Sequence, residues 1–314
     1  MSVVEEAIRR LEELKRAGAE LSPASIALAG LDQPPPLMNG SAAVDLQEIE
    51  PQDQSALNAR RSKQLSVDLK RLEAAGFVTP DAPRSRVADE MRVIKRPLLA
   101  NAKGKSAGRV ENANRIMITS ALPGEGKSFT AVNLAMSIAM ELDSTVLLID
   151  ADVAAHSVAE VLGLPRARGL MDVLVDKTVD LSEVMIRTNV PKLSVLLAGT
   201  PHPRATELIA SEAMATLVDE MALRYPDRIL IFDAPPLLAT TEARALAPHM
   251  GQIVLVVEAD RTSRRAVQQA CEAIDACPVV MTVLNKVTRS DVGGYYGYGY
   301  GYGYGYGQGV GDKS

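Results

Sequence analysis

Short aliphatic runs alternate with longer amphipathic segments from about residue 84 onward. This is the pattern of a parallel sheet covered by helices. The aliphatic runs predict strands at 115–119, 145–150, 193–198, 228–233, 252–258 and 279–285. The segments between them predict helices at 127–141, 204–224, 241–248 and 263–276. The pattern therefore predicts an α/β fold with a doubly wound, mainly parallel sheet.

The N-terminal part has a different pattern. Apolar residues at Val4, Ala7, Ile8, Leu11 and Leu14 recur every three or four positions, which predicts an amphipathic helix within residues 1–17. A Pro-, Ser- and Gly-rich stretch follows and predicts a flexible linker. The predicted units are the helix 1–17, the linker 18–54, a helical connector 55–85, a phosphate-binding domain 86–290 and a disordered Tyr-rich tail 291–314.

Composition adds limits to this organisation. Of 314 residues, 47% are hydrophobic, but there is no Trp and there are three Phe, so aliphatic side chains must fill the core. A net charge of −5 argues against a protein that coats nucleic acid.

Cys271 and Cys277 lack metal-ligand spacing, which favours reduced structural thiols. His156, His202 and His249 are scattered, and we expect structural roles for them. With no signal-peptide pattern and no apolar run near the ~18 residues that span a bilayer, we expect a cytoplasmic protein.

The strongest chemical signal is the stretch Ser120–Ser128, S-A-L-P-G-E-G-K-S. It has the G-K-S ending of a phosphate-binding loop, with Ala121 where the first glycine usually stands. The stretch follows a predicted strand and opens a predicted helix, so its backbone N–H groups can surround phosphates. Lys127 would reach the β- and γ-phosphates. The predicted nucleotide contacts are Pro123, Gly124, Glu125, Gly126, Lys127, Ser128 and Phe129.

Carboxylates end two of the predicted strands. Asp150 and Asp152 lie in LLIDADV, and Asp233 lies in ILIFDAPP. A single aspartate in such a place is often a turn or cap residue. Beside a phosphate-binding loop, the three side chains also suit water-mediated Mg²⁺ binding. The predicted Mg²⁺ ligands are Ser128, Asp150 and Asp233.

The motifs PGEGKS, LLIDAD and IFDAPP, followed by a Tyr-rich C-terminus, resemble those of the bacterial tyrosine autokinases of exopolysaccharide and capsule export. The resemblance implies ATP and Mg²⁺ as cofactors. It also implies that the second motif, called Walker A′, supplies a metal ligand and a base for a tyrosine hydroxyl. By position, the catalytic residues are then Lys127, Asp150 and Asp152, and Asp233 is the Walker B carboxylate. The N-terminal helix and the phrase IKRPLLANA resemble the subgroup that accompanies exosortase-linked polysaccharide loci.

The same resemblance gives the tail a role. Its tyrosines would be phosphoacceptors, and neighbouring subunits would phosphorylate each other. They are Tyr295, Tyr296, Tyr298, Tyr300, Tyr302, Tyr304 and Tyr306. The alternative is a Gly-Tyr segment that associates by aromatic stacking without being a substrate. Alternating glycine leaves each hydroxyl unhindered, and the added charge of phosphate would drive subunits apart.

A charged helix is the candidate contact between subunits. The family carries E-x-x-R-x-x-R on an interface helix, and the nearest match here is Asp89, Arg92 and Lys95. The alternative is a solvated charged face. The resemblance further implies a ring-shaped homo-oligomer at the inner face of the plasma membrane. The other implied partners are a separate membrane polysaccharide copolymerase of the chain-length-determinant type, onto which residues 3–17 could dock, and a tyrosine phosphatase.

Some residues depart from the family pattern or leave alternatives open. The usual arginine after the second Walker A′ aspartate is replaced by Ala154. Arg166, Arg168 and Arg204 could take the place of that arginine, but a solvated role is favoured for each. Asn285 either contacts the adenine base or forms a turn.

Two other functions stay possible on the residues alone. A partition- or division-type ATPase switch would share the fold, but it would carry a signature lysine at the position of Leu122. A non-catalytic nucleotide-binding regulator of a membrane copolymerase is the second alternative.

Overall fold

The computed structural model describes residues 63–82, 84–106, 108–224 and 227–288. The predicted N-terminal helix, the linker, the start of the connector and the Tyr-rich tail lie outside the described residues.

Eight strands form one sheet within the described part of the chain. They are β1 (Gln64–Leu65), β2 (Arg115–Ser120), β3 (Thr145–Asp150), β4 (Ile186–Thr188), β5 (Leu193–Leu196), β6 (Arg228–Asp233), β7 (Gln252–Glu258) and β8 (Val280–Asn285). Their order across the sheet is β1-β4-β5-β3-β6-β2-β7-β8. All neighbours are parallel except β4 and β5, which are antiparallel. The predicted mainly parallel sheet is confirmed.

Helices connect the strands and cover both faces of the sheet. They are α1 (Leu69–Ala74), α2 (Arg86–Ala102), α3 (Lys127–Ala139), α4 (Ser157–Leu162), α5 (Leu170–Val175), α6 (Leu181–Val184), α7 (Ala205–Ile209), α8 (Glu212–Arg224), α9 (Glu242–Leu246) and α10 (Arg264–Glu272). A single 3₁₀ turn, Ala247–His249, follows α9.

Each face of the sheet has its own aliphatic core. One core includes Met117, Leu147 and Phe232 from the strands, with side chains from α5, α8 and α10. The other includes Ile116 and Leu148, with side chains from α2 and α3. Strands buried on both faces are continuous apolar runs, and β7 is buried at all seven positions. Eleven of the thirteen residues of α3 are buried, so the helix that follows the phosphate-binding loop is held inside the protein.

The predicted strands agree with the structure to within two residues at either end, while several helices differ. The predicted helix 204–224 is two helices, because the Ser211 side chain accepts from the Met214 N–H at 3.4 Å and starts α8 afresh. The predicted helical connector is also wrong in part. Gln64–Leu65 pair with β4, and the only helix in the described part of the connector is α1. Long-range pairing at the sheet edge outweighs local helix propensity there.

The order of the strands brings the predicted carboxylates together. β3 and β6 are neighbours, and Asp150 lies opposite Asp233 in their register. β2 lies on the other side of β6, so the loop that follows Ser120 starts from the same edge. No helix among the described residues is long and apolar enough to cross a membrane.

We expect α2 to stabilise the core through Leu98, whose side chain is fully buried. Replacing Leu98 by Ala removes buried methyl groups and leaves a cavity, so the free energy of unfolding should fall by about 2–5 kcal/mol. Val93 is on the same helix but 69% exposed. The control Val93→Ala should change the free energy of unfolding by about 0.5 kcal/mol or less. Urea unfolding of both variants measures this, and equal losses would contradict the assignment of the buried face.

Candidate functional site

The turn between β2 and α3 has the backbone of an anion-binding loop. Gly124 and Gly126 adopt positive φ angles of 84° and 98°, which glycine allows without strain. A Cβ at Gly126 would lie 2.1 Å from Asn285 Nδ2, so a larger residue there would displace the Asn285 amide. α3 begins at Lys127, and its N-cap residue supplies no side-chain hydrogen bond. Its first N–H groups therefore suit a ligand anion.

Lys127 contacts one of the predicted carboxylates directly. Its Nζ lies 2.6 Å from Asp152 Oδ2 and 3.3 Å from Ser128 Oγ. Both charged side chains are at most 10% exposed. The structure thus brings together the predicted catalytic lysine and one of the two aspartates predicted as the base, which lies 25 residues away in sequence.

Asp150 and Asp233 are fully buried on neighbouring strands. One oxygen of Asp150 accepts from the Val158 N–H at 3.3 Å. Its other oxygen and both oxygens of Asp233 have no hydrogen-bond partner of ordinary geometry within the described structure, although the Ser128 hydroxyl is close enough to Asp233 to lower its pKa. Buried carboxylate oxygens without donors are costly, so this place favours an added cation.

The electrostatics of the site show the same excess of negative charge. Burial, together with Asp233 and Asp152, raises the pKa of Asp150 to about 8. Burial also raises the pKa of Asp233 to about 6, although Lys127 and Ser128 oppose this. Burial lowers the pKa of Lys127, but Asp233, Asp152 and Asp150 outweigh it, and the net shift is upward. Lys127 therefore stays charged.

These residues fit a Mg²⁺ ion that is shared with phosphate. No group of three or more His, Cys, Asp or Glu side chains in the described structure is arranged to hold a metal ion by itself. Mg²⁺ commonly takes one or two carboxylates and completes its shell with water and substrate phosphates. The unpartnered oxygens of Asp150 and Asp233, with the Ser128 hydroxyl, would supply the protein's share.

The side chains of Glu125, Phe129 and Pro123, three other predicted nucleotide contacts, lie in different environments. The Glu125 side chain is buried and accepts from the Leu122 N–H at 2.7 Å and from the Thr262 hydroxyl, so it shapes the loop. Phe129 packs against Phe77 with ring centroids 4.9 Å apart, which leaves its backbone N–H as its means of contacting an anion. Pro123 is exposed at the surface of the loop.

The end of β8 contacts the loop through two residues. Asn285 Nδ2 donates to the Glu125 carbonyl at 2.9 Å. Lys286 Nζ donates to the Gly124 carbonyl at 2.7 Å. Neither Lys286 nor Thr262 was predicted as a site residue. The one signal in the sequence was the position of Lys286 next to Asn285, at the end of a predicted strand.

The predicted subunit-contact helix is α2, and one of its three residues points inward. Lys95 is buried, donates to the Ser137 carbonyl at 2.6 Å and pairs with Glu141 at 2.6 Å. Asp89 and Arg92 pair with each other on the exposed face. The prediction that Lys95 faces a neighbouring subunit is therefore corrected, because its charge is used to hold α2 on the end of α3.

Several residues with open roles can also be placed. Arg166, Arg168 and Arg204 are exposed, in line with solvated roles. His156 is the N-cap residue of α4 with a φ of 55°, and its Nε2 lies 3.2 Å from the Gly199 carbonyl. This contact agrees with the expected structural role.

A parallel sheet, a glycine loop that opens a buried helix, a lysine and strand-end carboxylates together define a P-loop nucleotide-binding protein. The AAA domain family matches residues 113–285, which is more than half of the chain. The two lines of evidence agree on the class.

Sequence relatives identify the group within this class. The tyrosine-protein kinase YwqD of Bacillus subtilis is 34% identical over 219 residues, which are 68% of this chain and 88% of that one. The putative tyrosine-protein kinase CapB of Staphylococcus aureus is 30% identical, covering 69% and 91%. The chain therefore belongs to the bacterial tyrosine-protein kinases, and the predicted family is confirmed.

Solved structures agree with this assignment. The chimerical protein CapA2B2 superposes with a TM-score of 0.56 at 26% identity, over 73% of this chain and 96% of that one. The VpsO kinase domain gives 0.52 at 25% identity, over 65% and 100%. Some relatives are much longer. EpsB of Ralstonia nicotianae is 33% identical to this chain over only 25% of its own length. The predicted exosortase-linked subgroup stays a prediction.

The raised pKa of Asp150 predicts a pH dependence of stability. Since its pKa in the folded chain, about 8, lies above the ordinary aspartate value of 3.8, the folded chain binds an extra proton between these pH values. The stability that this proton contributes is present at low pH and is lost as pH rises through about 8, with a slope near ~1.4 kcal/mol per pH unit for one proton. Asp233 adds to the loss near pH 6.

The measurement is urea unfolding from pH 5 to 9 without nucleotide or divalent cations. Asp150→Asn should flatten the profile above pH 6. The control Asp143→Asn, at an exposed position, should leave the slope unchanged. Parallel profiles for wild type and Asp150→Asn would contradict the assignment.

Proposed function

We propose that this chain transfers the γ-phosphate of ATP, with Mg²⁺, to tyrosines of its own C-terminal segment. The observation that carries the proposal is the contact of Lys127 with Asp152 at 2.6 Å, beside buried carboxylate oxygens that lack donors. Phosphoryl transfer needs positioning and charge stabilisation more than covalent chemistry from the protein. The site provides both within one loop and two strand ends.

Lys127 is the residue that binds the transferred group. It carries its charge in a site where Asp233, Asp152 and Asp150 all favour the protonated form. Phosphate oxygens entering the loop would compete with Asp152 for this ammonium group. Binding would then draw Lys127 toward the phosphates and leave Asp152 without its cation.

Asp152 is the residue that accepts the proton. Once separated from Lys127, its carboxylate can take the proton of an incoming tyrosine hydroxyl. The tyrosine oxygen forms its bond to the γ-phosphorus while the bond to the β-phosphate oxygen breaks, and ADP leaves with that oxygen. Bound Mg²⁺ would supply charge neutralisation on the phosphates, held by Ser128, Asp150 and Asp233.

The acceptors are the seven tyrosines between Tyr295 and Tyr306, which lie outside the described residues. Alternation with glycine leaves every hydroxyl accessible. Transfer between subunits would let several tyrosines enter one site in turn. Each phosphate adds about −1.5 to −2 charges, so a modified tail repels the acidic body of the next subunit and loosens a ring. A tyrosine phosphatase would reset the cycle.

The cellular process we propose is regulation of exopolysaccharide polymerisation and export. Support comes from a relative named succinoglycan biosynthesis transport protein ExoP of Rhizobium meliloti, which is 32% identical over 69% of this chain and 27% of its own length. We propose that a separate membrane copolymerase subunit recruits this chain to the inner face of the plasma membrane. Deleting residues 1–17 tests whether the predicted N-terminal helix is needed for that recruitment.

Autokinase activity can be tested by mass spectrometry of the tail. Wild-type protein incubated with ATP and Mg²⁺ should carry phosphotyrosine between residues 295 and 306. Lys127→Met should lower the rate by about 10²-fold or more, because the main electrostatic partner of the γ-phosphate is lost. Lys177→Met, which changes an exposed lysine, serves as the control. Equal labelling of both variants would refute the role of Lys127.

Transfer between subunits can be tested by mixing two variants. One carries Lys127→Met with an intact tail, and the other has an active site but all seven tail tyrosines changed to Phe. We expect phosphotyrosine on the Lys127→Met chain, at a rate that rises with the concentration of the active partner. An unlabelled inactive chain, with wild type labelled in parallel, would mean transfer within one chain.

A further inference from the structure

We propose that Asn285 and Lys286, at the end of β8, are positioning residues that orient two backbone N–H groups of the phosphate-binding loop. This inference rests on the proposed nucleotide binding and deepens it. It gives Asn285 a role toward the phosphates, in place of a contact with the base, and it adds Lys286 to the residues on which binding depends.

The two side chains fix two successive peptide groups. Lys286 Nζ donates to the Gly124 carbonyl at 2.7 Å, and Asn285 Nδ2 donates to the Glu125 carbonyl at 2.9 Å. In a planar trans peptide the N–H points opposite to the C=O, and no cis peptide occurs in the described chain. Because both carbonyls face β8, the N–H groups of Glu125 and Gly126 point away from it.

The backbone of the loop agrees with this orientation. Positive φ at Gly124 and Gly126, with Glu125 outside that region between them, gives the alternation that turns successive N–H groups into an anion-binding concavity. A Cβ at Gly126 would lie 2.1 Å from Asn285 Nδ2, so a larger residue there would displace the amide from its contact. Glycine at this position leaves room for the Asn285 side chain.

The positioning residues are themselves held in place. Glu258, the last residue of β7, lies opposite Asn285 in register. Its Oε2 is 3.2 Å from Lys286 Nζ, and its Oε1 is 3.2 Å from Arg261 Nη1. The Thr262 hydroxyl binds Glu125 from the same segment. The ends of β7 and β8 therefore attach to three points of the loop.

The choice of ligand distinguishes an effect on the loop N–H groups from a contact with the base. Inorganic tripolyphosphate with Mg²⁺ has the phosphate chain of ATP but no base or ribose. A residue that acts through the loop N–H groups must affect tripolyphosphate and ATP alike. A residue that contacts adenine must affect ATP and spare tripolyphosphate.

The experiment is calorimetric titration of wild type, Lys286→Met and Asn285→Ala with Mg²⁺ and either ATP, GTP or tripolyphosphate. We expect each variant to raise the Kd for all three ligands by about tenfold and to leave their ratios unchanged. Lys286→Arg should restore most of the affinity. Arg261→Met is the matched control, because it removes a cation from the same Glu258 without a contact to the loop, and its Kd values should stay within about twofold of wild type.

The outcomes distinguish this inference from the proposed function. If wild type binds neither ATP nor tripolyphosphate, nucleotide binding itself fails. If wild type binds both but the variants lose ATP alone, Asn285 and Lys286 act on the base and the inference is overturned. It is also overturned if Arg261→Met weakens binding as much as Lys286→Met, because the effect is then one of general charge.

Discussion

Three buried carboxylates share one lysine, and this imbalance of charge is the constraint on which the site depends. Lys127 satisfies Asp152 directly, while Asp150 and Asp233 keep oxygens without donors and have raised pKa values. An arrangement of this kind costs stability in the folded chain. A divalent cation and phosphate would offset this cost, because they would bring positive charge for the carboxylates and a competing anion for the lysine. The excess of buried negative charge therefore favours ligand binding.

The sheet is built so that this costly arrangement can persist. β3, β6 and β2 lie side by side in the middle of the sheet, with an aliphatic core on each face. Helix α3 is buried along most of its length, and this packing holds its N-terminus beside the carboxylates. Lys95 fixes α2 to the far end of α3 through Ser137 and Glu141. A charge that resembles a subunit contact in sequence is thus used to hold the helix that follows the phosphate-binding loop.

The departures of this chain from the family pattern fall into two kinds. Ala121, at the place of the first loop glycine, is fully buried in a loop that still has its two left-handed glycines, so that change is accommodated. Ala154 takes the place of the usual arginine after Walker A′, and Arg166, Arg168 and Arg204 are exposed. Lys127 contacts Asp152, and Lys286 contacts the loop at the Gly124 carbonyl. On the proposed function, phosphate binding would depend on the lysine inside the loop and on the N–H groups that Asn285 and Lys286 orient.

The sequence by itself determined the parallel sheet, the loop from Ala121 to Ser128 and the strand-end aspartates, because buried strands are continuous apolar runs and the loop's glycine and lysine spacing is local. Only the tertiary structure decided which distant groups meet. The inward turn of Lys95, the pairing of β1 with β4, and the contacts of Thr262, Asn285 and Lys286 with the loop depend on strand order and register. Strand order and register are set by packing between segments that are up to 162 residues apart, and local sequence patterns do not predict such contacts.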